Sequence, residues 1–151
     1  MSPEKLKHLI YTSTAITACD LPELKEILDR ARVRNAERAV TGMLLYTEGS
    51  FFQVLEGDET VLNALFARIA TDPRHKRVIK IIDEPIAQRD FGDWSMGFAA
   101  ASAAELSEIE GLSDFFQKGN SFEDLQPGRA KKLLCAFAAG RWRRGLHRNA
   151  A

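Results

Sequence analysis

Apolar residues follow two rhythms along this chain. Within Leu6–Ser13 the sides alternate: Leu9, Tyr11 and Ser13 share one face and His8, Ile10 and Thr12 the other, as in a β-strand. From Leu21 the spacing turns helical through Leu24, Ile27, Leu28 and Ala31, which predicts a helix to about Arg34. Asp20 stands at its N-cap, with Pro22 in the first turn and Glu23 at the capping-box position. Val40–Tyr46 and Phe51–Glu56 read as strands joined by the Gly-containing loop Thr47–Ser50, a hairpin signal. Asp58 caps a second helix with Val61, Leu62, Leu65 and Ile69 inward, and Pro73 ends it because the residue before a proline avoids helical geometry. Arg77–Asp83 and Asp93–Ala99 read as a fourth and a fifth strand.

This order, βαββαββ, is that of an α+β, ferredoxin-like split βαβ sheet. It predicts an antiparallel or mixed sheet with both helices on one face. The other face then needs cover from the rest of the chain or from a partner. The segment 50–57 sharpens the point. Phe51 and Leu55 flank Gln53 on its own side, while Phe52 and Val54 make the opposite side apolar, so the strand is buried on both faces. A primary amide buried there without partners would cost about 1–3 kcal/mol, so Gln53 is expected to be bonded.

The tail is different in composition. Residues 101–126 hold six acids against one base, Lys118, for a charge of −5; residues 127–151 hold seven bases and no acid, for +7. Leu133, Leu134, Phe137 and Ala138 form a helical stripe before the basic end. The tail is therefore read as one or two helices on the open face of the sheet. Residues 1–101 form the sheet domain and 102–151 a helical extension of the same globular unit.

Composition adds mainly exclusions. Lys plus Arg and Asp plus Glu are 21 each, so zero net charge gives no general reason to expect nucleic acid or an anionic membrane as partner. Cys19 and Cys135 stand far apart without metal-ligand spacing, which argues against a disulfide framework or a zinc site and fits a reducing compartment. No run approaches the ~20 apolar residues of a membrane helix. A cytoplasmic protein is the expectation. His8, His75 and His147 lie in different elements, so no metal cluster is indicated.

Dinucleotide, P-loop and serine-hydrolase motifs are absent. The informative pair is Tyr11 and Gln53. The first and third strands of a split-βαβ sheet are central neighbours, so the phenol and the amide can sit side by side and bond a third polar group. A purely structural bond between strands is the competing reading. Asn35 falls near the end of the first helix, where a left-handed C-cap is the ordinary role. Asp72, Arg74 and His75 follow the second helix in a run that reads equally as a solvated turn. Arg68 can snorkel to solvent or reach an anion. Trp94 and Met96 share one face of the fifth strand, where core packing is the simplest reading.

Taken together, LIYTS with Tyr11, RNAERAVTGMLLY with Asn35, SFFQVLEG with Gln53, DPRHKRV, and DWSM closely resemble the BLUF family, blue-light sensors that use FAD. The resemblance covers roughly the first hundred residues, in order and spacing. It implies that Gln53 is the switch glutamine, bonded between the Tyr11 hydroxyl and the flavin. Ile27 and Ile69 would be apolar walls, and Asn35 would meet the polar edge of the ring. Arg34, Arg68, Asp72, Arg74 and His75 would lie near the pyrimidine side, ribityl chain or phosphates. In the family the excited flavin takes an electron from the tyrosine, and reshuffled hydrogen bonds give a modestly red-shifted signalling state. Trp94 and Met96 match fifth-strand residues through which the signal is proposed to reach the tail.

About fifty residues follow the sensor, too few for a typical catalytic output domain. By resemblance the chain is a short stand-alone photoreceptor, not an enzyme, that forms homo-oligomers and acts on a protein effector in trans. The alternative is an RRM-like RNA-binding module of the same strand order, with Tyr11 as a stacking aromatic. Against it, SFFQVLEG does not match the RNP1 pattern and the sheet domain has no basic excess.

Overall fold

A mixed sheet with strands in the order β4-β1-β3-β2-β5 organises the computed structural model. Residues 5–15, 21–47, 50–71, 75–91, 97–100 and 125–138 are described. Among them the elements are β1 (Leu6–Ala15), α1 (Leu21–Glu37), β2 (Thr41–Thr47), β3 (Ser50–Asp58), α2 (Glu59–Ala70), β4 (His75–Pro85), β5 (Gly97–Ala100) and α3 (Pro127–Ala138). β1, β3, β2 and β4 pair antiparallel, and β5 joins β2 in parallel, so the ferredoxin-like order expected from the sequence is present. Of the fifth strand expected over 93–99, residues 93–96 lie outside the described residues, as does the Asp20 cap.

β3 is flanked on both sides and buried from Phe51 to Gly57, as its two apolar faces require. The pleat then divides two cores. On one face Leu9, Tyr11, Val40, Leu44, Phe51 and Leu55 pack with Leu62 and Leu65 of α2. On the other, Ile10, Met43, Leu45, Phe52, Val54 and Ile82 pack with Phe91, Leu125 and the α3 residues Ala130, Leu133 and Leu134. The tail helix thus covers the face that a bare split-βαβ sheet would leave wet. β2 can approach β3 closely because residue 42 is glycine: a Cβ there would lie 2.0 Å from the Val54 carbonyl oxygen.

Polar contacts fix how the helices sit. The Asp58 carboxylate accepts from the Thr60 N–H at 3.1 Å, the cap expected for α2. Lys7, nearly buried, donates to Asn63 Oδ1 of α2 at 2.6 Å and pairs with Asp83 of β4 at 2.8 Å. The opposite face of β1 carries His8, also buried, whose Nε2 is 2.9 Å from Glu84 Oε1. Lys131 of α3 lies 3.0 Å from the same oxygen. His8 is therefore a tail-packed residue, one of the roles a strand histidine can take.

That triad gives the docking of α3 a pH dependence. Hydrogen bonding from His8, and secondarily from Lys131, holds the Glu84 carboxyl below the usual glutamate range. A depressed folded value means the contribution is present above the unfolded pKa and is lost as pH falls through the folded one. Asp83, lowered by its bond to Lys7, behaves in the same sense. Thermal midpoints should therefore fall on the acid side of the ordinary carboxylate range. Glu84→Gln should make that fall shallower while leaving the Asp83 part; an unchanged acid limb in melting curves against pH would contradict the pairing.

Several element boundaries lie one to three residues from expectation, those of β4 and α1 among them. β4 extends two residues beyond Arg77–Asp83 at each end; at its start the pairing with β1 shifts register between Thr12 and Thr14, with Arg77 at φ 53°. An irregular residue of this kind lets a strand continue past a break in its ladder. α1 continues past Arg34 to Glu37, and the left-handed residue after it is Ala39, at φ 55°. None of the described helices is long and apolar enough to cross a membrane.

Candidate functional site

Tyr11 and Gln53 face each other directly in the β1–β3 ladder, on the α2 side of the sheet. Both are buried, and the Tyr11 hydroxyl donates to Gln53 Oε1. With its oxygen occupied by a phenol, the amide turns its N–H corner to the other side. The phenol ring is held edge-on by Phe66 of α2, with centroids 5.6 Å apart at 67°. Lys80 of β4 lies 5.0 Å over that Phe66 ring. The pair therefore sits on rigid strands, with its aromatic partner packed from the helix above.

Asn35 is a further buried polar side chain, 4% exposed. It is not the left-handed C-cap, a place taken by Ala39. Its carbonyl accepts from the Arg38 and Val40 N–H groups at 3.1 and 2.8 Å, closing the end of α1 onto β2. Val40 belongs to the same apolar cluster as Tyr11, so the Asn35 turn is anchored to the core beside the pair.

The other expected site residues divide clearly. Ile69 is half-buried against the Tyr11 cluster. Arg34 is half-buried near the end of α1, and Arg68 is exposed in the last turn of α2. Ile27 lies in α1 and His75 opens β4, but neither side chain is described. Asp72, Arg74, Trp94 and Met96 lie outside the described residues. Sequence reading missed Phe66, although it follows Leu62 by one helical turn. It also missed Glu56, a fully buried carboxylate in a strand where only its alternation with Val54 pointed inward.

A family model described as "Sensors of blue-light using FAD" matches residues 6–97. The chain belongs to the BLUF family. Its BLUF region is 41% identical over 93 residues to photoactivated adenylate cyclase subunit beta of Euglena gracilis, covering 60% of this chain and 11% of that protein. It is 31% identical over 133 residues to the blue light- and temperature-regulated antirepressor BluF of Escherichia coli, covering 87% of this chain and 32% of BluF. Thus the chain spans a small part of the cyclase subunit it matches. Among solved structures, the dark state of the BLUF protein BlrB superposes with a TM-score of 0.72 at 32% identity, covering 90% of this chain and 97% of BlrB.

The family uses FAD, and the residues of this BLUF domain fit a flavin by the chemistry of their donor set. The polar edge of an isoalloxazine carries carbonyl acceptors, an imide N–H and ring nitrogens. Two buried primary amides, Gln53 and Asn35, offer both donors and acceptors, and the phenol beside Gln53 is oxidisable. Ile69 provides apolar surface, and Arg34 and Arg68 place cations toward the ends of the two helices.

Proposed function

We propose that this BLUF protein is a light-driven hydrogen-bond switch centred on Tyr11 and Gln53, which signals to a protein effector in trans. The observation that carries the reading is the buried bond from the Tyr11 hydroxyl to Gln53 Oε1 on paired central strands. FAD, when bound, supplies blue-light absorption and an electron-accepting excited ring. Oxidation of a tyrosine releases its hydroxyl proton, and Gln53 Oε1 is the acceptor already in place. An amide that takes up a proton at oxygen and gives one up from nitrogen, or that rotates, presents donor and acceptor at exchanged corners. The hydrogen bonds around Tyr11 then differ between dark and light while the fold is kept. Asn35 holds and orients the polar edge of the cofactor. Ile27 and Ile69 line it, and Arg34, Arg68, Asp72, Arg74 and His75 serve its charged end.

The altered bond biases β5 through Trp94 and Met96, and from there the extension 102–151. A bistable element tilted by a local bond change is a sufficient device for such a signal. The oppositely charged blocks of the extension are the surface for self-association and for the effector. The chain acts without enzymatic activity of its own, in the cytoplasm. Absorption spectra of the FAD-loaded protein in darkness and under blue light test the reading. A small reversible red shift is expected; flavin absorption without any shift would overturn the switch.

A further inference from the structure

Glu56 is fully buried, on the tail-facing side of β3 and three residues beyond Gln53. Its carboxylate accepts from the Asp90 N–H at 2.6 Å, from the Phe91 N–H at 3.0 Å, and from the Thr41 hydroxyl at 2.8 Å. Arg89 closes the group, donating to Thr41 Oγ1 at 2.9 Å and to the Glu56 carbonyl at 3.1 Å. The carboxylate thus grips main chain at 90–91, six residues before β5, so it sets where that backbone lies rather than which side chains it carries. Bonds from N–H groups to an ionised oxygen are among the stronger and more directional in proteins.

Three parts of the molecule meet at this clasp. β3 brings the strand that holds Gln53. Thr41 opens β2, directly after the Val40 N–H that bonds the Asn35 carbonyl. Phe91 enters the core shared with Leu125, Leu133 and Leu134 of the tail. A shift of the β3 backbone carries the carboxylate, and its three donors must follow or break. Phe52 and Val54 of the same strand also reach the tail core through apolar packing; Glu56 adds directional hydrogen bonds to the backbone at 90–91.

We propose that Glu56 is the positioning residue that couples the switch on β3 to β5 and α3. The proposal rests on the Tyr11–Gln53 reading above, but adds a residue on the opposite face that touches neither member of the pair. Substitution should leave the photochemistry intact and uncouple the response. Residues along such a chain modulate coupling by roughly two- to thirty-fold.

The test is hydrogen exchange of the full chain loaded with FAD, in darkness and in blue light, followed in peptides covering 97–100 and 125–138. In the wild type, light should change exchange in both. Glu56→Gln should keep flavin and the red shift while the light-to-dark ratio of exchange falls toward one. Thr41→Val removes a single donor from the clasp, and should lower the ratio in the same direction by less. A merely structural clasp would speed exchange equally in light and dark and leave the ratio unchanged; that result in either variant overturns the proposal. Should Glu56→Gln fail to fold, Thr41→Val decides. A wild type with a red shift but no light-dependent exchange in these peptides also overturns it. A wild type without a red shift instead overturns the reading beneath.

Discussion

Gln53→Leu is expected to abolish the light-induced red shift while leaving flavin bound. Leucine is close to glutamine in size and fills the same place between Phe51 and Leu55 on the α2 face of β3. It offers no acceptor to the Tyr11 hydroxyl and no donor to the cofactor. The proton of an oxidised Tyr11 then has no amide to move to. Tyr11→Phe removes the other half of the pair, keeps the ring against Phe66, and should give the same spectral result. The stability effects are modest by comparison. Leaving a buried hydroxyl without its acceptor costs about 1–3 kcal/mol, partly offset in Gln53→Leu by added apolar burial. Spectra before and after illumination check this; a normal shift in either variant would remove the pair from the mechanism.

The adjacent residue should behave in the opposite way. Phe52 is fully buried on the tail face, among Ile10, Met43, Leu45, Val54 and the α3 leucines. Phe52→Ala deletes a ring at the centre of that layer, and such truncations cost about 3–5 kcal/mol. For a domain of this size the thermal midpoint should fall by roughly 2–4 °C per kcal/mol, hence on the order of 10 °C. Below that midpoint the red shift should survive, because the ring lies on the far side of the sheet from Tyr11. Thermal denaturation with parallel spectra separates the outcomes. A midpoint lowered by no more than a degree or two would mean that α3 does not pack over Phe52.

The contrast between two neighbours in one strand also shows what could be read from the chain. Alternation in β1 and the double-sided burial of β3 placed Tyr11 beside Gln53, because a split-βαβ order makes their strands neighbours. The Asp58 cap and the helical stripe beginning at Leu133 were local signals; the cap appears where it was expected, as do Leu133 and Leu134, while the side chains of Phe137 and Ala138 are not among those described. Irregularities were not legible. The positive φ at Ala39 and Arg77 falls on residues with no propensity for it, imposed by the junction of α1 with β2 and by the register shift of β1 against β4. Glu56 was missed because two of its three donors are main-chain N–H groups, which carry no side-chain signature. The role of His8 was not legible for a similar reason: its partner Glu84, and the Lys131 that shares Glu84, are far away in sequence. The flavin was never written in periodicity or charge. It entered through the match of five short motifs to a family, which the match over residues 6–97 then established.

The measurement that tests the central claim most directly is a light-minus-dark infrared spectrum of the FAD-loaded protein with its glutamine side-chain carbonyls labelled with ¹³C. Only four glutamines would carry the label, at 53, 88, 117 and 126. The account predicts label-sensitive amide bands that change on illumination and vanish in Gln53→Leu and in Tyr11→Phe. A full red shift with no label-sensitive band would show that the glutamine amide stays as it was in the dark, and would contradict the switch.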